Sequence, residues 1–201
     1  MRTSWDSFER ETLDHLCALV RLDTTNPPGN ERIAADYIAD ALGAHGISSV
    51  IRESAPARAS LVAQIAGTDS SKGRLLLSSH TDVVPVERDG WSREPFGAEL
   101  AEGCVWGRGS IDMKSKCAMD LVLMTAIKRT GARPAREVVM AAVADEEAGS
   151  DLGAKFLVER HPELVRAAYV LNEVGGFTGH LGGKRFYPIQ VAVKGFVTIR
   201  M

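Results

Sequence analysis

Residues 5 to 21 place Phe8, Leu13, Leu16 and Val20 at helical spacing, which predicts an amphipathic helix. The turn-rich stretch Leu22-Asp-Thr-Thr-Asn-Pro-Pro-Gly-Asn then breaks the pattern. A second helix is expected from about Glu31 to Ala44, with Ile33, Tyr37, Ile38 and Leu42 on one face. Apolar runs at Val50-Ile51, at 61–66 and at Leu75-Leu-Leu read as strands. The last is nearly continuous, as in a sheet covered on both faces. Residues 83 to 111 form a long connection punctuated by Pro85, Gly90, Pro95, Gly97, Gly103, Gly107 and Gly109. Connections of this length inside a compact domain are usually functional. A helix follows from about Met113 to Arg129, with Met113, Cys117, Leu121 and Met124 in phase and Gly131 and Pro134 to stop it. Then come a strand at 138–143, a helix at 152–160 and a buried-looking strand at 167–171. A last apolar alternation runs through Ile189, Val191, Val193, Val197 and Ile199. Alternating strands and helices predict an α/β fold with a mostly parallel sheet flanked by helices.

Composition adds only exclusions. The 201 residues are 45% hydrophobic and 25% charged, with a formal net charge of −2 and no basic cluster, so nucleic acid is not an expected partner. No stretch of about 18 apolar residues offers a membrane span, and the N-terminus lacks the apolar core of a signal peptide. Cys17, Cys104 and Cys117 are an odd, scattered set with no CxxC pair, which suits free thiols in a reducing compartment. A cytoplasmic enzyme is the expectation.

The chemistry sits where strands end. His80, Glu146-Glu147 and Glu173 all follow apolar strands, and ligands bind at the carboxyl ends of strands in open α/β sheets. His80 and Asp82 are two apart, so in extended chain both point the same way. Asp82 can then hold the imidazole's second nitrogen, directly or through a small backbone rearrangement. A strand-end histidine beside a solvated aspartate is the plainer account. Asp112 ends the glycine-rich approach Gly107-Arg-Gly-Ser-Ile and begins a helix, where it serves either as an N-cap or as a carboxylate spanning two metals ~3.5–4 Å apart. The spacing of a phosphate-binding loop is absent, which weakens a magnesium phosphohydrolase reading. Glu146 and Glu147 are adjacent at a strand end, so their side chains are expected to diverge, one toward a metal and the other toward its water. A solvated acidic turn is the alternative. Glu173 needs either a metal or an Arg or Lys partner. Of the other histidines, His15, His45 and His161 read as surface or helix-end residues, and His180 stays open. One imidazole with several carboxylates suits zinc, with manganese or cobalt also compatible.

The motifs Ser79-His-Thr-Asp-Val-Val-Pro-Val86, Trp106-Gly-Arg-Gly-Ser-Ile-Asp-Met-Lys114, Asp145-Glu-Glu-Ala-Gly-Ser150 and Asn172-Glu173 together resemble one family. It is the zinc-dependent deacylases and exopeptidases that include acetylornithine deacetylase, succinyl-diaminopimelate desuccinylase, carboxypeptidases G and S, and aminoacylase. The resemblance implies a phosphorylase/hydrolase-like zinc exopeptidase domain and a dinuclear zinc amidohydrolase that cleaves N-acyl amino acids or small peptides. It implies His80 and Glu173 on one Zn2+, Glu147 on the other and Asp112 bridging them, with a cis peptide to Met113. Asp82 would orient His80, and Glu146 would be the general base toward a metal-bound water.

The family runs to roughly twice this length, inserts a lid that forms the homodimer, and returns with a last histidine ligand. Residues 1–193 are therefore expected to be the N-terminal part of the catalytic domain and 194–201 the start of the lid, the chain being truncated before the remainder. Two other readings stay open. One is an inactive metal-binding fragment or homologue; the other is a non-enzymatic binding module on the same fold.

Overall fold

The computed structural model describes residues 5–173 and 178–187, and the chain divides into two units, residues 1–171 and 172–201. The first unit runs α1 (Trp5–Arg21), α2 (Arg32–Gly43), β1 (Ser49–Ala55), β2 (Arg58–Ile65), β3 (Leu75–His80), β4 (Glu99–Ala101), β5 (Cys104–Trp106), α3 (Lys114–Thr130), β6 (Val138–Val143), α4 (Ala154–Arg160), α5 (Pro162–Val165) and β7 (Tyr169–Leu171). In the second unit, β8 (Gly179–Leu181) and β9 (Lys184–Phe186) form an antiparallel hairpin.

Five strands form one sheet in the order β1-β2-β6-β3-β7. β3 is parallel to β6 and to β7, whereas β2 is antiparallel to both β1 and β6. Four strands thus run one way and β2 alone runs against them, so the mostly parallel sheet flanked by helices is as expected. β2 reverses because only Pro56 and Ala57, the latter at φ 63, connect it to β1. A link that short makes a hairpin, while a parallel neighbour needs a long crossover.

Period-two alternation then loads the two faces. Leu61, Ala63, Leu77, Met140 and Ala142 pack with Leu19, Ile38, Leu42, Cys117, Leu121 and Met124 from α1, α2 and α3. Val62, Leu76, Val139, Ala141 and Val143 face the other way, onto Leu157 and Phe156 of α4 and Leu164 of α5. Each large side chain so buried contributes roughly 1.5–3 kcal/mol. Every residue of β6 is buried, which explains its unbroken apolar run.

α3 ends where Gly131 takes the left-handed conformation at φ 69, a position that suits a residue without Cβ. Just before α4, a Cβ on Gly153 would overlap the backbone carbonyl of Ala144, so glycine is what lets that helix close onto the end of β6.

Two expectations change. The segment at 167–171 forms strand β7, which among the described residues pairs only with β3, and its Tyr169, Val170 and Leu171 are each more than half exposed. The connection at 83–111 holds the β4–β5 hairpin, built on pairs too short to show a period. The turn-rich stretch after α1 breaks the helix as expected, and Thr24 and Asn26 are buried in it. The apolar alternation at 189–199 and the lid start at 194–201 lie outside the described residues. Cys17, Cys104 and Cys117 are unpaired, and no helix of the described residues is long and apolar enough to cross a membrane.

Candidate metal centre

β3 and β6 are parallel neighbours with His80 opposite Val143, so their carboxyl ends open on one rim. His80 is 1% exposed. Its Nδ1 lies 2.9 Å from the backbone carbonyl of Asp82 and 3.4 Å from that residue's Oδ1. The ring is therefore oriented through the main chain of Asp82, with Nδ1–H donating, more than through its carboxylate. Nε2 then points at Oδ1 of Asp112, 3.0 Å away. A lone pair and a carboxylate oxygen at that distance require a proton or a cation between them.

The Asp82 carboxylate is turned to another task. Its Oδ1 accepts the Glu146 N–H at 3.0 Å, and its Oδ2 accepts the Glu147 N–H at 3.1 Å and Asn26 Nδ2 at 2.8 Å. Burial alone would raise the Asp82 carboxyl, but hydrogen bonds from His80, Asn26 and the Glu146 amide hold it below its usual range. These bonds also fix the acidic turn. Asp145 stands in the left-handed region at φ 65, and Glu146–Ala148 wind as a single 3-10 turn. The turn overrides strand alternation, so the two glutamates converge where divergence was expected. One ligand atom each from His80, Glu146 and Glu147 lie within 4.8 Å of one another, with Glu146 Oε2 3.8 Å from His80 Nε2. Burial, and after it the nearby Asp112 carboxylate, pushes the Glu147 carboxyl up to about 7.

Asp112 precedes a cis peptide to Met113. The N-cap position of α3 belongs to Met113, without a side-chain cap, and the Asp112 carboxylate faces His80 instead. Lys114 is fully buried and donates to the Leu22 carbonyl at 2.7 Å; burial lowers its amine to about 8. It fastens the start of α3 to the end of α1 and is not a phosphate ligand. Glu173 is half-buried two residues beyond β7 and belongs to the second unit. Away from the rim, His15 is half-buried with Nδ1 2.7 Å from the Tyr37 hydroxyl, and His161 caps α4.

Sequence reasoning missed the layer beneath. Glu31, wholly buried, takes Arg58 in two bonds of 2.7 Å and also accepts the Asp145 N–H. Arg58 continues to Asp145 Oδ1 at 2.8 Å, where Asn26 Nδ2 arrives at 3.1 Å, and Asp145 Oδ2 accepts the Leu152 N–H. An arginine opening a wholly buried strand segment, and a Glu directly before a helix, were the available signals.

The donor set fits a divalent cation: an imidazole whose tautomer is fixed, and crowded carboxylates of which one resists ionising. A metal held by Glu147 would have to displace its proton, so zinc affinity should then strengthen as pH rises from 6 to 8 and weaken as it falls. Zinc titrations at fixed ionic strength across that range check this sign. A pH-independent affinity would take Glu147 out of the ligand set.

Comparison with known proteins now bears on the rim. Residues 76–189, more than half the chain, match peptidase family M20/M25/M40, and the chain belongs to that family. It is 33% identical to rat aminoacylase-1B over 156 residues, 77% of this chain and 38% of that protein. A succinyl-diaminopimelate desuccinylase of Cereibacter sphaeroides is 40% identical over 89 residues, 41% of this chain and 22% of that protein. The fold is similar to an M20 family metallo-carboxypeptidase from Sulfolobus solfataricus, with a TM-score of 0.72 at 21% identity over 83% of this chain and 38% of the other. Human carnosine dipeptidase 1 gives 0.68 at 22% identity over 83% and 39%. The chain thus spans about 38% of the length of the aminoacylase it matches.

Proposed function

We propose that this chain carries the metal centre of a hydrolase that cleaves the amide bond of N-acyl amino acids or small peptides. The observation that carries the reading is the convergence of His80 Nε2 with the carboxylates of Asp112, Glu146 and Glu147 on one strand-end rim. The aminoacylase likeness supports the substrate class. His80, Asp112, Glu147 and Glu173 would hold two zinc ions, with cobalt or manganese as substitutes, and Asp112 would be shared between them. Zinc bound there supplies a Lewis acid and brings the pKa of water toward ~7. Glu146, 42% exposed at its side chain, is the group open to solvent and substrate. It takes the proton of the attacking water as the new C–O bond forms. It then hands that proton to the departing amine nitrogen as the C–N bond breaks. Asp82 holds the Glu146 and Glu147 amides in place. A cytoplasmic enzyme, dimeric through a lid domain, belongs to the same proposal.

The experiment is a screen of this sequence, carried in a polypeptide of the relatives' full length, against N-acyl amino acids and dipeptides. Release of free amino acid should stop with a chelator and return with zinc. Zinc-saturated protein that hydrolyses none of them would overturn the reading in favour of a metal-binding module.

A further inference from the structure

Asn26 belongs to none of the motifs that mark the rim, yet its side chain joins two of them. Its side-chain nitrogen donates to Asp82 Oδ2 at 2.8 Å and to Asp145 Oδ1 at 3.1 Å. Both acceptors are buried carboxylates, and Asn26 itself is 3% exposed. The amide has only one workable orientation, because flipping it would set its oxygen against two anions. A single NH2 group therefore uses both of its protons to join two carboxylates that would otherwise repel across a dry contact.

We propose that Asn26 is a positioning residue of the metal centre, holding Asp82 and Asp145 together so that the Glu146-Glu147 turn is presented to His80. The inference rests on the metal-dependent reading above. Asp82 receives Asn26 on the oxygen that also accepts the Glu147 amide, and its other oxygen accepts the Glu146 amide. Asp145 is the residue directly before that turn, and it is anchored from behind by Arg58 and Glu31. Asn26 is the link that passes this anchorage to Asp82 and hence to the carbonyl that orients His80. Its own place is set by the backbone, through its N–H to the Val83 carbonyl at 2.8 Å and Thr24 Oγ1 to the Thr81 carbonyl at 2.6 Å. Those main-chain tethers survive a change of the Asn26 side chain, so substitution separates the clamp from the turn that carries it.

Asn26→Asp keeps the side chain's shape and replaces its donor by an acceptor, while Asn26→Ser keeps one donor and adds no charge. Zinc affinity of the 201-residue chain, by competition with a chelating dye, and the visible absorption of its Co2+ form are the two readouts. We expect Asn26→Asp to bind zinc roughly tenfold or more weakly and to change the Co2+ spectrum, with Asn26→Ser between it and the native chain. If Asn26→Asp does not fold, Asn26→Ser decides by the same readouts. Native affinity and a native Co2+ spectrum in the folded variant, whatever its unfolding midpoint, would overturn the positioning role and leave the metal centre standing. A native chain that takes up neither zinc nor Co2+ would instead overturn the metal reading, and this inference with it.

Discussion

Replacing Arg58 by Met should lower the stability of the chain by about 3–5 kcal/mol, the range for removing one partner of a buried ion pair. Arg58 is 8% exposed and holds Glu31, which has no exposed surface, through two bonds, and Asp145 through a third. The methionine fills most of the space but leaves two buried carboxylates without their cation. For a domain of this size the midpoint of thermal unfolding should fall by roughly 6–20 °C. Arg32 provides the contrast. Its pairs with Asp36 and Glu53 are 40–50% exposed, and exposed pairs are worth about 0–1 kcal/mol. Equal midpoints for Arg58→Met and the native chain would mean that Glu31 and Asp145 are not held as charged partners.

Glu146→Ala should reduce turnover of N-acyl amino acids by a factor of roughly 10² or more while zinc stays bound. The division of labour between the paired glutamates underlies that expectation. Glu147 is the carboxyl that burial and Asp112 push up to about 7, the group most relieved by a cation, while the Glu146 side chain is 42% exposed toward the rim. Steady-state kinetics alongside zinc stoichiometry check the split. Loss of zinc in Glu146→Ala with retention in Glu147→Ala would exchange the two roles.

Much of this was legible along the chain because it rests on local pattern. α1, α2 and α3 follow from helical spacing that buries Leu19, Ile38, Leu42 and Leu121, and β6 from an apolar run buried throughout. His80 and the acidic turn stand at neighbouring strand ends because β3 and β6 are parallel, which alternating strands and helices implied. What stayed hidden depends on contacts between distant positions. Asn26 meets Asp82 across 56 residues and Asp145 across 119, and Arg58 meets Asp145 across 87. No spacing rule reaches that far. The convergence of Glu146 and Glu147 was missed because strand alternation was carried past the end of β6 at Val143, into a 3-10 turn that Asp145 enters from the left-handed region. The exposure of β7 was missed because an apolar run looks the same at a sheet's edge as at its centre.

The central claim is that the rim around His80 is a metal site. Zinc titration calorimetry of the native chain beside His80→Ala tests it most directly, since Nε2 is the rim's one nitrogen donor among the described residues. Saturable zinc binding in the native chain and its loss in His80→Ala is the expected result. No saturable binding, or the same binding in both, would contradict it.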